Sequence, residues 1–528
     1  MPKSLSSTSV KAAKQSIPKY NDAGLIRALA VLGVFLALLI YASEFTNWPL
    51  TTKLLVDLFI FIVGGFALDR TGGLQESVYF GRMMRSHFGL KMIDALASRA
   101  KWFWNGLADW GLVLGFGLLS FFIFKKLDRK MVLFGSVSLF FITMILSPFL
   151  VIGLLTINVP QLNSLVQLDA SSALTGNINF LAIAPFSLLV AIFGFESYIM
   201  IALLASGASV LMNVLLSIET ITTSHPNYIP LQGSVPGVYP ILPGIDIPLI
   251  SGLLALIVVL SVHEFAHGIL CRISKVKVIS SGLLVFGIIP IGAFVEPDEK
   301  TVSKLSVTEQ NRIFAAGVAT NMLITVIFFF PTLALFYSIM HSAITVTAVF
   351  PNSPANQIIA PGSIITNWNG YNVSTLSDFR VAAAGDTPGA KVHIITNQTN
   401  TVLTANATGK VGVAVDQIIT QKAASSPILV FLFQFFALAF VLNFLIAIVN
   451  YLPLPGMDGW RIFDLNIKRK IFTFALGALG LVAIFLNVLP FAVEYPIAGI
   501  VGVLFVGLIA AVGIKWLWNW SRGSLKSS

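Results

Sequence analysis

Thiols are almost missing: Cys271 is the one cysteine in 528 residues. No intrachain disulfide can form, no metal site of several thiolates can be assembled, and the residue itself reads as a small apolar side chain. Charge is scarce too, at 11% Asp, Glu, Lys and Arg where an ordinary soluble domain carries roughly 25%. With 56% hydrophobic residues and a mean hydropathy of +0.87, the composition excludes a water-soluble globule and reads as a multi-pass protein of the cell membrane. Lys and Arg are absent throughout 131–271. Where they occur they form short clusters between apolar runs, such as Lys125, Lys126, Arg129 and Lys130, or Lys468, Arg469 and Lys470. Such clusters set membrane orientation, so the net charge of +10 implies no nucleic-acid partner. Residues 1–20 lack any apolar stretch of their own and read as a disordered polar tail rather than a cleaved signal peptide.

What is present is a series of apolar runs near the length a bilayer requires, at about 24–43, 54–69, 106–124, 131–157, 180–218, 249–271, 313–340, 427–450, 471–492 and 497–518. The run at 180–218 is too long for one crossing, and a tight hairpin near Gly194, Phe195 and Glu196 fits it, one tilted helix with an interfacial extension being the alternative. Basic residues at 272–277, 300–312 and 461–470 place those segments on the cytoplasmic side. Residues 341–426 then lie outside, in keeping with the sequons at Asn372, Asn397 and Asn406.

Between 341 and 426 the hydropathy falls, and β-rich runs such as Ile344–Val349 and Lys391–Ile395 alternate with Gly, Pro and Asn turns. P-N-S-P-A at 351–355 and P-G-S-I-I-T-N-W-N-G at 361–370 resemble a PDZ domain of the kind attached to proteases, against the simpler alternative of a β-rich cap with no ligand. The glycine-spaced, β-branched segment 282–295 is too interrupted for a stable span and reads as a short membrane-embedded β-hairpin or a re-entrant packing segment. The expected fold is therefore all-α and polytopic: a transmembrane helix bundle with a short membrane-embedded β-hairpin and an inserted β-rich, PDZ-like domain.

Inside the run at 249–271 stands H-E-F-A-H. His263 and His267 are four apart, so a helix projects both imidazoles from one face, where they can reach one metal ion. Glu264 lies beside them, where a carboxylate could take a proton from an activated water. With six histidines and nine glutamates in the chain, the motif arises by chance in roughly one shuffled sequence per thousand, which makes coincidence a poor explanation. Three ionisable groups within a span are also costly unless paired or functional. Zinc needs a third protein ligand, and the other polar interruption near membrane depth is N-Y-L-P-L-P-G-M-D-G at 450–459. Its two prolines break the helix there, and non-helical backbone at that depth must line a cavity or pack in protein. Asp458 is the candidate ligand, a plain cytoplasmic turn being the alternative.

H-E-F-A-H followed by N-Y-L-P-L-P-G-M-D-G resembles the site-2 protease family of intramembrane zinc metalloproteases, whose pattern is His-Glu-x-x-His with a later Asn-x-x-Pro-x-x-x-x-Asp-Gly. G-A-F-V-E-P-D-E at 292–299 and A-G-V-A-T-N at 316–321 are similar to family segments as well. The resemblance implies zinc held by His263, His267 and Asp458, Glu264 as general base and later general acid, and Asn450 and Asn321 orienting the water or the peptide carbonyl. It implies transmembrane protein substrates within the lipid bilayer, cut after an upstream site-1-type protease. The divisions expected are a tail at 1–20, an N-terminal transmembrane region at 21–220, the first half of the protease core at 221–340, the PDZ-like extracytoplasmic domain at 341–426, the second half of the core at 427–466, and C-terminal helices and tail at 467–528. A prenyl-peptide type protease would take a glutamate as third ligand, which Asp458 argues against. From another class, a catalytically inactive membrane chaperone or receptor retaining the zinc site is the alternative, and an intact Glu264 argues against it.

Overall fold

A backbone N–H or C=O in hydrocarbon has no water to bond, so the long apolar runs satisfy theirs internally as helices. The computed structural model describes residues 22–490, apart from 77–81, 88, 158–172, 175–177, 223–243, 245–246 and 423–424, and short pieces between 503 and 520. Among the described residues eight helices are long and apolar enough to cross a membrane, and the protein is a mostly helical, multi-pass membrane protein. The tail expected at 1–20, and most of the segments 158–179 and 219–248, lie outside the described residues. Of the run at 497–518 the described part includes the short helix Val506–Lys515.

The chain divides into two compact units. One joins the residues up to Arg99 with Cys271–Lys304. In it α1 (Asp22–Glu44) and α2 (Leu50–Asp69) lead into β1 (Gln75–Glu76), β2 (Arg82–Ser86) and α3 (Leu90–Ser98). The hairpin expected at 282–295 is present as β3 (Val278–Phe286) and β4 (Ile289–Pro297), antiparallel to each other. Gly287 supplies the positive φ, 56°, at the first central position of the two-residue turn. The hairpin is larger than expected, because β2 pairs antiparallel with β3, Met84 opposite Leu283, giving a four-stranded sheet in the order β1-β2-β3-β4. Arg85 on β2 reaches across β3 to Glu296 on β4 at 3.0 Å, and Ser280 donates to the same carboxylate at 2.5 Å, so three strands share one polar tie. Ala28, Leu32, Ile60, Leu68, Met84, Val285 and Ile288 form the apolar core of this unit.

The other unit holds α4 (Lys101–Phe116), α5 (Arg129–Leu146), α6 (Phe180–Thr222), most of α7 (Leu249–Ile273), α8 (Val307–Ile339), α10 (Pro427–Asn450), α11 (Asp458–Asn466) and α12 (Lys470–Val488), with a β-rich domain carrying helix α9 (Leu376–Ala383) between α8 and α10. The long run at 180–218 is broken at Gly194, whose φ of 79° and ψ of 170° are not helical. Phe186 and Tyr198 pack with ring centroids 4.8 Å apart, although 12 residues of straight helix would separate them by about 18 Å. The halves of α6 therefore fold back on each other, as expected from its length. Glycine is required there, because a Cβ on Gly194 would lie 2.0 Å from the Gly115 carbonyl oxygen.

The β-rich domain leaves α8 directly at β5 (Met340–Val349) and continues through β6 (Ile364–Trp368), β7 (Tyr371–Asn372), β8 (Lys391–Thr396), β9 (Asn400–Thr404) and β10 (Val413–Gln421). The strands form one sheet, β10-β5-β6-β8-β9, with β7 on β6. Both β-rich runs picked out in the sequence are strands, β5 and β8, and β8 alternates buried and more exposed positions as a half-buried strand should. The core gathers Ile344, Ile365, Trp368, Val392, Ile394 and Leu403.

Candidate metal centre

Helix α7 is apolar from Leu249 to Val262 and has no proline, so it runs unbroken through H-E-F-A-H and sets the two histidines one turn apart on one face. Their Nε2 atoms lie 3.2 Å from each other. Helix α10 stops at Asn450, and Pro453 and Pro455 prevent its continuation. The chain turns tightly, Leu454 N–H donating to the Leu452 carbonyl at 2.8 Å, and becomes helical again with Asp458 as the first residue of α11. At that helix start, unpaired N–H groups favour a negative charge. Asp458 Oδ2 lies 3.2 Å from His263 Nε2 and 3.3 Å from His267 Nε2. The three groups the sequence picked out are thus brought together.

Helix α8 lies against this cluster with a four-residue repeat of its own. The Ile313 carbonyl accepts from His267 Nδ1–H at 2.7 Å, which leaves Nε2 with its lone pair free. One turn on, a Cβ on Gly317 would lie 2.5 Å from His267 Nε2 and 2.6 Å from His263 Nε2, so only glycine leaves the space between the imidazoles open. A further turn on, the fully buried Asn321 places its amide 3.3 Å from His263 Nδ1. Asn321 Oδ1 has no partner when Nδ2 faces the ring. A half-turn of the amide, equivalent in shape, lets Oδ1 accept from His263 Nδ1–H and frees the Nε2 lone pair there too. Spacing of four on α7 meets spacing of four on α8.

Zinc bound tetrahedrally at about 2.0–2.1 Å separates its ligand atoms by about 3.3 Å. The three edges here measure 3.2, 3.2 and 3.3 Å, two imidazole nitrogens and a carboxylate oxygen are a zinc-type donor set, and Gly317 keeps the adjoining space clear. The residues fit the ion. Glu264 is half-buried next to His263, and its carboxylate acts electrostatically on His267. Asn450, expected to orient the water or the peptide carbonyl, donates Nδ2 to the Ile446 carbonyl in its own helix at 3.0 Å.

Comparison with known proteins agrees with this geometry. The model of peptidase family M50, the site-2 protease family, matches residues 251–474, which span α7 to the start of α12. An uncharacterized protein of Methanocaldococcus jannaschii is 31% identical over 268 residues, 49% of this chain and 69% of the relative. The chain belongs to peptidase family M50. It is accordingly a metallopeptidase, of a family whose members are zinc enzymes, and His263, His267 and Asp458 form a group that could hold a metal ion.

In this M50 peptidase the sequence motifs missed Gly317 and the Ile313 carbonyl. One signal was available for the first, since a glycine inside a helix costs about 1 kcal/mol relative to alanine and asks for a reason. A backbone carbonyl has no sequence signal at all. Asn321→Ala removes the partner of His263 Nδ1 and is expected to weaken zinc binding roughly 10- to 100-fold, read by competition with a chromophoric chelator. Unaltered affinity would remove Asn321 from the support of the site.

Proposed function

We propose that the protein is an intramembrane zinc endopeptidase that hydrolyses peptide bonds within the transmembrane segments of other membrane proteins in the cell membrane. The observation that carries this reading is the convergence of two imidazoles from an otherwise apolar helix and one carboxylate from the start of α11 around the space left by Gly317. When bound by His263, His267 and Asp458, zinc supplies Lewis acidity and lowers the pKa of its water towards about 7. Glu264, on the same helix face region, takes the water's proton and returns it to the leaving amine. Asn321 and the Ile313 carbonyl hold the rings in the tautomer that presents the Nε2 lone pair to the metal. An inactive chaperone or receptor would have no use for Glu264.

A helical substrate hides its carbonyls in its own hydrogen bonds, so it must be unwound before it is cut. The outer edge of β4 has no strand partner among the described residues, and an extended segment can add there by main-chain bonds. The PDZ-like domain acts as a filter, admitting substrates whose bulky external part an upstream site-1-type protease has removed. Within that domain Phe350, Trp368, Phe379, Lys410 and Val411 line a cavity of about 580 Å³, large enough to accept part of a peptide.

Two experiments test the reading. Released peptides from membranes with the intact enzyme and with Glu264→Gln, compared by mass spectrometry, should differ by fragments cut inside apolar segments, and identical sets would oppose it. For orientation, α10 is the one helix of membrane-spanning length between the β-rich domain and the basic cluster at 468–470 among the described residues. Asn372→Cys and Lys468→Cys, each in a Cys271→Ser background, should react with an impermeant thiol reagent from opposite sides of the membrane. Reaction from one side would reverse the placement of the domain.

A further inference from the structure

Helix α4 lies outside the stretch matched by the M50 model, yet it touches the supports of two of the three ligands. Asp109 accepts from Arg312 Nε and Nη2 at 2.7 Å each, a bidentate pair in which the carboxylate is 14% exposed. Arg312 directly precedes Ile313, the residue whose carbonyl fixes His267. Half a turn further on, Gly111 lets α4 and α8 meet backbone to backbone: a Cβ there would lie 2.7 Å from Ala319 Cβ and 3.0 Å from the Ala315 carbonyl oxygen. The Gly111 carbonyl also accepts from the hydroxyl of Tyr451 at 2.6 Å, and the Tyr451 ring fills the space above Gly115, where a Cβ would lie 2.5 Å from Cε1. Tyr451 is fully buried, and its own carbonyl oxygen sits where a Cβ on Gly459 would be, at 1.9 Å, next to Asp458. The loop that delivers Asp458 is therefore held at its first residue by α4, and just past Asp458 the backbone at Gly459 packs closely against the Tyr451 carbonyl.

We propose that α4 is a positioning helix of the metal site, with Tyr451 setting the Asp458 loop and Asp109, through Arg312, setting the turn of α8 that orients His267. The proposal rests on the zinc reading above and extends it to a helix outside the matched core. Neither residue touches substrate or metal. Both act by narrowing the range of ligand positions, and outer-shell partners of metal ligands typically carry 10- to 100-fold in affinity.

The test is zinc affinity of the full-length protein in detergent, by chelator competition, with melting temperature measured alongside. Tyr451→Phe keeps the ring and loses only the hydroxyl, and Asp109→Asn keeps the size and loses the charge. Each should weaken zinc about 10-fold or more. Ile152→Ala is the control, because it opens a cavity in the distant cluster of Ile152, Phe336 and Phe433, lowering the melting temperature while leaving zinc affinity as in wild type. Unchanged affinity in Tyr451→Phe or in Asp109→Asn overturns that residue's part. Equal weakening by Ile152→Ala at a matched loss of melting temperature overturns the positioning role altogether. A wild-type protein that takes up no zinc would instead overturn the zinc reading itself, so the two failures are distinguishable.

Discussion

Glu264→Gln should retain zinc at the wild-type level and lose hydrolysis by about 100- to 10,000-fold, the range that removal of a general acid–base group produces. The amide has nearly the shape of the carboxylate, and the three ligand atoms at His263, His267 and Asp458 stay where they are. What is lost is the group able to accept a proton from the attacking water and pass it to the leaving nitrogen. Because binding of the substrate segment does not depend on that proton transfer, kcat should fall while KM changes little. Zinc is read by atomic absorption and turnover with a model transmembrane peptide. Turnover within threefold of wild type, with zinc bound, would remove Glu264 from the chemistry.

Gly317→Ala should do the reverse: lose the metal while the fold holds. Alanine is the better helix former by about 1 kcal/mol, so α8 has no reason to weaken locally. The new methyl, however, would sit 2.5–2.6 Å from both Nε2 atoms, in the space the ion and its water require. Zinc affinity should fall by more than 100-fold and hydrolysis with it, while the metal-free protein still folds with the two imidazoles displaced by the methyl. Gly33→Ala is the matched control, since a Cβ at Gly33 meets nothing within 4 Å. Full zinc uptake by Gly317→Ala would mean that the ion lies elsewhere.

These two residues also mark the limit of what the sequence makes legible. His263, Glu264 and His267 stand out because ionisable groups in an apolar helix are expensive and their spacing of three and four is that of one helix face. Asp458 is legible through Pro453 and Pro455, which interrupt an apolar run where interruption needs a cause. The fold of α6 could be read from its length and Gly194, and strands β5 and β8 from their alternation and turn residues. Gly317, by contrast, acts through the side chain it lacks. The Asp109–Arg312 pair joins residues 203 positions apart, and neither residue alone carries a local signal of its partner. Strand β2, Arg-Met-Met-Arg-Ser, has no clean alternation, and it pairs with β3 some 195 positions away, so nothing local announces that the hairpin becomes a four-stranded sheet. Local pattern reveals elements and costly groups, whereas pairings made by tertiary packing leave no local trace.

The central claim is zinc-dependent hydrolysis inside the membrane. Its most direct test places the purified protein in liposomes with a synthetic transmembrane peptide, determines zinc per chain by atomic absorption, and locates the cut by mass spectrometry. One zinc per chain and a cut within the apolar stretch of the peptide are expected, with cleavage lost after stripping by a chelator and regained when zinc is returned. Cleavage that survives complete removal of zinc, or that falls only in the polar flanks of the peptide, would contradict the account.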